Sequence, residues 1–162
     1  MGRLYIRIAN PPENIMGQYS EGVRNFYLGL AERTRGILID PEIMKFVYYV
    51  MKREGMDESR INDIRVMVFP SLFRNRVMGC FHIEKRQISI FPQLPFKIPK
   101  KSKRPKVTLE EISEDKELSE RIRSETIKVL IHEVLHLKYY SERIVKAKTE
   151  QYYKEFENRK LE

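Results

Sequence analysis

An α+β fold follows from three features of the chain. Short apolar runs of strand type recur before residue 92, apolar positions at three- and four-residue spacing dominate after residue 108, and a proline-rich basic segment separates the two. At 162 residues and 41% hydrophobic content, the chain suits one domain over 1–162, large enough for a real core and too small for two. It has no internal repeat.

Each element can be justified in turn. Leu4, Ile6 and Ile8 alternate with polar residues, which predicts a first strand; Pro11 and Pro12 then break the pattern. Residues 13–33 read as partly helical, weakened by Gly17, Gly22 and Gly29. Asp40 followed by Pro41 is a helix start, since the carboxylate can cap and proline suits the first turn. Met44, Val47, Tyr48 and Met51 keep the helical period until Gly55 ends it. Residues 64–69 then form a strand stopped by Pro70, and 77–83 and 87–91 read as a hairpin across the polar turn Glu84, Lys85, Arg86. A short acidic helix or turn is expected near 109–116, a long helix from 118 or 124 to about 140, and a last helix over 141–158.

Charge and cysteine usage bound the setting. Thirty-one Lys and Arg against 23 Asp and Glu leave +8, which favours acidic partners. Six basic residues, Lys97, Lys100, Lys101, Lys103, Arg104 and Lys106, lie among Pro95, Pro99 and Pro105, so 97–106 reads as an exposed loop. A solvated connector is the simpler reading of that loop; nucleic acid is the partner it would serve otherwise. No run approaches the roughly 18–20 apolar residues of a membrane span, and the start reads as a strand rather than a signal peptide. Cys80 is the only cysteine, which excludes an intrachain disulfide and a cysteine zinc cluster, and a cytoplasmic setting is expected.

The chemistry is concentrated in His132, Glu133, Val134, Leu135 and His136. On a helix, residues four apart stack on one face, so both imidazoles can reach one ion while Glu133 stands beside it. The pattern arises by accident in roughly half a per cent of chains this long, so its context has to carry it. That context is favourable: Ile127, Leu130, Ile131, Val134 and Leu135 form an apolar stripe, and at about 100° per residue the two histidines fall nearly opposite it. The helix should bury one flank and present the histidines to a cleft. Two neutral imidazoles, a third protein ligand and a water make the open tetrahedral site of a catalytic zinc, one per chain. Zinc lowers the pKa of that water toward neutrality, and Glu133 as general base would take its proton during attack on a carbonyl. His82, in a predicted strand, reads as a half-exposed strand residue, and Tyr139 and Tyr140 read as packing residues before oxyanion donors.

The strands ending Met78, Gly79, Cys80, Phe81 and Ile88, Ser89, Ile90, followed by the helix from Thr126 through His132, Glu133 and His136 to Tyr139, resemble the catalytic core of zincin metallopeptidases. Within these the chain looks most like the small gluzincins called minigluzincins, and less like the SprT-like proteins; the resemblance covers about 76–157. It implies a zinc-dependent peptidase with a small mixed sheet, an active-site helix and a C-terminal helix bearing a glutamate ligand, and an edge strand that holds an extended peptide. The N-terminal 70 residues either support this fold or cover the cleft. No histidine follows His136, so the histidine-completed families are excluded and the third ligand falls to a carboxylate, as in gluzincins. If the chain turns near 139–141, an antiparallel last helix brings 145–149 level with the histidines. Glu150 is then the first choice and Glu142, at the turn itself, the second.

Overall fold

The computed structural model describes residues 4–9, 20–57, 59, 64–70, 79–82, 87–94 and 108–160, with backbone only over 79–82. The basic segment 97–106, the turn at 83–86 and residues 13–19 of the first predicted helix lie outside the described residues.

Four strands, β1 (Tyr5–Ile8), β2 (Arg65–Val68), β3 (Gly79–His82) and β4 (Gln87–Ile90), form a mixed sheet in the order β1-β2-β4-β3. β1, β2 and β4 run parallel, and β3 pairs antiparallel with β4 as the hairpin reading requires. The register aligns Ile6, Val66 and Ile88 in one row and Ile8, Val68 and Ile90 in another. In these rows Ile6, Val66, Val68, Ile88 and Ile90 are buried and Ile8 partly so, whereas Tyr5, Arg7 and Arg65 are exposed on the other face, where Ser89 of β4 is buried as well. His82 pairs with Gln87, in the row of Arg65 and Tyr5, and Cys80 pairs with Ser89.

Five helices are described: α1 (Glu21–Leu38), α2 (Pro41–Arg53), α3 (Leu109–Glu114), α4 (Lys116–Leu135) and α5 (Glu142–Lys160). α1 starts at Ser20, whose hydroxyl accepts from the Val23 amide, and runs five residues past its expected end because Leu38 is drawn fully into the core. At Gly29, inside α1, a Cβ would meet the end of the Leu109 side chain, which would have to move aside. α2 begins as its sequence predicts: Asp40 Oδ1 accepts from the Glu42 amide at 2.9 Å, with Pro41 in the first turn. It ends in a Schellman motif, Met56 N–H donating to Met51 O and Gly55 N–H to Lys52 O, with Gly55 at φ 77°.

α3 is capped by Thr108 and α4 by Asp115. Side chains from both halves of the chain, from Leu4 and Ile6 through Val47 and Met51 to Leu130 and Phe156, form the main buried cluster, and a smaller one joins Val23, Phe26 and Leu30 to Ile112 and Ile122. Residues before 70 therefore help to build the core. Among the described residues no helix is long and apolar enough to cross a membrane.

Candidate metal centre

α4 carries the motif, and its buried positions are more extensive than one stripe. Besides Ile127, Leu130, Ile131, Val134 and Leu135, the structure buries Thr126, Val129 and Glu133, because α1, α2, α5 and the sheet strands β3 and β4 all pack against α4. His132 and His136 stay partly exposed, away from the apolar stripe as expected.

The helix also ends earlier than its sequence suggests. Leu135 is the last helical residue and His136 the cap, with the following amides bonded in tightened turns: Leu137 N–H to Val134 O and Lys138 N–H to Leu135 O. Residues 136–141 make the turn, and Ser141 caps α5 through the Ile144 amide. α5 therefore starts level with the histidines. The helix expected to reach about 140 stops five residues short, a shift of about 7.5 Å at 1.5 Å per residue.

That shift decides which carboxylate lies beside the histidines. Glu142 meets both imidazoles, Oε1 at 2.7 Å from His136 Nε2 and Oε2 at 3.2 Å from His132 Nε2. Glu150, the first choice from sequence, lies two turns further along α5 beside Lys128 Nζ at 3.4 Å, so the structure does not bring it to the histidines. Glu142, the second choice, is the carboxylate that meets the histidines, because the turn comes sooner than helix periodicity implies.

Among the described residues, His132, His136 and Glu142 are the group able to converge on one ion, their ligand atoms all within 4.8 Å of one another. The two Nε2 atoms are 3.2 Å apart. A tetrahedral zinc with Zn–N of about 2.0–2.1 Å holds its nitrogens about 3.3 Å apart, so the spacing fits. The tautomer fits as well. His136 Nδ1 donates to the Tyr139 carbonyl at 2.9 Å, so neutral His136 turns the lone pair of Nε2 toward His132 and the Glu142 carboxylate. Three electron-rich atoms aimed at one point are stabilised by a cation between them.

The electrostatics separate the two carboxylates. Burial pushes the Glu133 carboxyl up to about 7, against the pull of the His136 imidazole. Burial acts in the same sense on Glu142, but the two adjoining imidazoles, His132 first and then His136, outweigh it and hold that carboxyl below its ordinary value. His132 is held low, first by burial and then by its neighbour His136, against the attraction of Glu142. Glu133 is 5% exposed while the Glu142 side chain is 61% exposed, so the donor cluster opens to solvent on the α5 side.

The chain matches no protein-family model, no curated protein and no solved structure.

Sequence reasoning missed Glu54, the cap residue of α2. It is 5% exposed and receives four side chains: Tyr139 Oη at 2.6 Å, Tyr152 Oη at 2.7 Å, Lys148 Nζ at 3.0 Å and Lys138 Nζ at 3.3 Å. Burial alone would raise its pKa, yet these bonds together lower it to about 2. The available signal was a carboxylate directly before a helix-ending glycine, which names no partner. Tyr139 accordingly packs, as expected, with its hydroxyl committed to Glu54; Tyr140, also expected to pack, is instead 86% exposed.

Proposed function

We propose that this chain is a zinc-dependent peptidase of the zincin type, with His132, His136 and Glu142 as the metal ligands and Glu133 as the general base. The observation that carries the reading is the convergence of two imidazole nitrogens and one carboxylate beside a buried glutamate whose pKa is raised to about 7. Two nitrogens and one oxygen form the ligand set of catalytic rather than structural zinc, because a fourth position stays open.

Zinc, when held there, supplies Lewis acidity that acidifies a water and polarises a carbonyl. Glu133 does the proton work. As a carboxylate it would take the proton of the attacking water, and as an acid it would deliver that proton to the departing amine. The Tyr139 carbonyl holds the His136 ring in its metal-binding tautomer. β3 lies at an edge of the sheet and packs near α4, which supports the role of a strand that pairs with an extended peptide. The likeness to minigluzincins points to the same reaction class. Nucleic-acid binding through 97–106 has only the charge of the chain behind it, since that segment lies outside the described residues.

The test is metal analysis with a peptide-cleavage assay. Purified protein should carry about one zinc per chain, and Glu133→Gln should keep the metal while cleavage falls by at least about 100-fold. Undiminished cleavage in that variant would overturn the mechanism.

A further inference from the structure

We propose that Glu54, remote in sequence and not a ligand, is the positioning residue of the metal centre: it holds the 136–141 turn and α5 in the one arrangement that brings His136 and Glu142 together. The inference rests on the metal reading above and extends it to the N-terminal half of the chain.

The geometry runs through two routes that meet on one carboxylate. On the first, Glu54 Oε2 accepts from the Tyr139 hydroxyl at 2.6 Å, and the carbonyl of the same tyrosine accepts from His136 Nδ1 at 2.9 Å. Tyr139 is thus held at its ring end by α2 and holds the ligand histidine at its backbone end. On the second route, Glu54 Oε1 accepts from Lys148 and Tyr152, both on α5, whose first residue is Glu142. Lys138 adds a bond from the turn to the Glu54 backbone carbonyl at 2.7 Å.

The need for such an anchor follows from the local sequence. Leu137, Lys138, Tyr139 and Tyr140 contain neither glycine nor proline, so nothing local ends α4 at His136. Lys138 and Tyr139 instead turn their side chains to Glu54. A buried carboxylate with four donors is costly to leave unpaired, which makes the turned arrangement strongly preferred once α2 is packed. Without it, continuation of α4 by one turn would carry Glu142 about 5 Å away from the histidines. Gly55 contributes from the other side, since its φ of 77° closes α2 directly after Glu54.

The experiment compares full-length wild type, Glu54→Gln, Tyr139→Phe and Glu155→Gln. Glu155 also links α2 to α5, through Arg53 at 2.9 Å and Tyr49 at 3.2 Å, but does not touch the turn. Zinc affinity is measured by competition with a chromophoric chelator at a temperature where circular dichroism shows each variant folded, and the visible spectrum of the cobalt-substituted protein is recorded. Loss of stability alone leaves the affinity of a folded chain unchanged, because apparent affinity falls only with the fraction of competent molecules.

The expected result is zinc affinity weakened by about 10- to 100-fold in Glu54→Gln and by about 10-fold in Tyr139→Phe, with altered cobalt bands in both and neither change in Glu155→Gln. Tyr139→Phe removes a single hydroxyl and leaves Glu54 its other three partners, so it decides the matter if Glu54→Gln does not fold. Wild-type affinity and an unchanged cobalt spectrum in folded Tyr139→Phe would overturn this inference alone. A wild-type protein that takes up no zinc would overturn the metal reading and this inference with it.

Discussion

Removing the Glu142 carboxylate tests the ligand assignment most directly, with Glu150 as its internal control. Zinc bound by four protein ligands is worth about 10–16 kcal/mol in apparent free energy, so one ligand carries about 2.5–4 kcal/mol. Glu142→Ala should therefore weaken zinc binding by roughly 100- to 1000-fold at about 1.4 kcal/mol per decade. The stability of the metal-free protein should change little, because the Glu142 side chain is 61% exposed and water can replace it at the imidazoles. Glu150→Ala removes an exposed contact to Lys128 at 3.4 Å, worth less than about 1 kcal/mol, and should leave zinc affinity within about threefold of wild type. Chelator competition near neutral pH, run on both variants in parallel, reads the difference. If Glu150→Ala lost the metal while Glu142→Ala kept it, α4 would have to continue past His136 and the turn described above would be wrong. Equal, small losses in both would mean that neither carboxylate completes the site.

Three further outcomes follow from the fold. Glu54 has its pKa lowered from 4.5 to about 2, so its contribution is complete above about pH 4.5 and is lost as pH falls toward 2; it amounts to at most about 3 kcal/mol, reduced by the solvent exposure of Lys138 and Lys148. Urea unfolding between those pH values should show wild type losing stability more steeply than Glu54→Gln, and parallel slopes would remove Glu54 from the acid response. Gly55→Ala places a Cβ at φ 77° and should cost about 1 kcal/mol by thermal unfolding; an unchanged melting temperature would mean that α2 does not end in the left-handed turn. Leu130→Ala opens a cavity in the fully buried face of α4 and should cost about 2–5 kcal/mol by chemical denaturation, a loss under about 1 kcal/mol being incompatible with its burial.

Much of the architecture is legible in local signals. Asp40 with Pro41, Gly55, and the alternation of Ile6 and Ile8 or of Val66 and Val68 mark the ends and faces of their elements, because capping, proline geometry and the strand repeat act within a few residues. The histidine pair was legible for the same reason: a four-residue interval on a helix sets a distance without help from the rest of the chain. The burial of Glu133 was not, because it depends on which elements of the fold pack around α4.

By itself, then, the sequence determined an α+β chain whose histidines stand on one helical face with a glutamate beside them. The choice between Glu142 and Glu150 belonged to the tertiary structure alone. It depends on where α4 stops, and no residue from Leu137 to Tyr140 supplies a stop signal. The stop comes from Glu54, more than eighty residues upstream, whose buried carboxylate gathers Lys138, Tyr139, Lys148 and Tyr152. Helix propensity differs by only tenths of a kcal/mol per residue, whereas leaving a buried carboxylate unpaired costs several, so the long-range contact overrides the local preference.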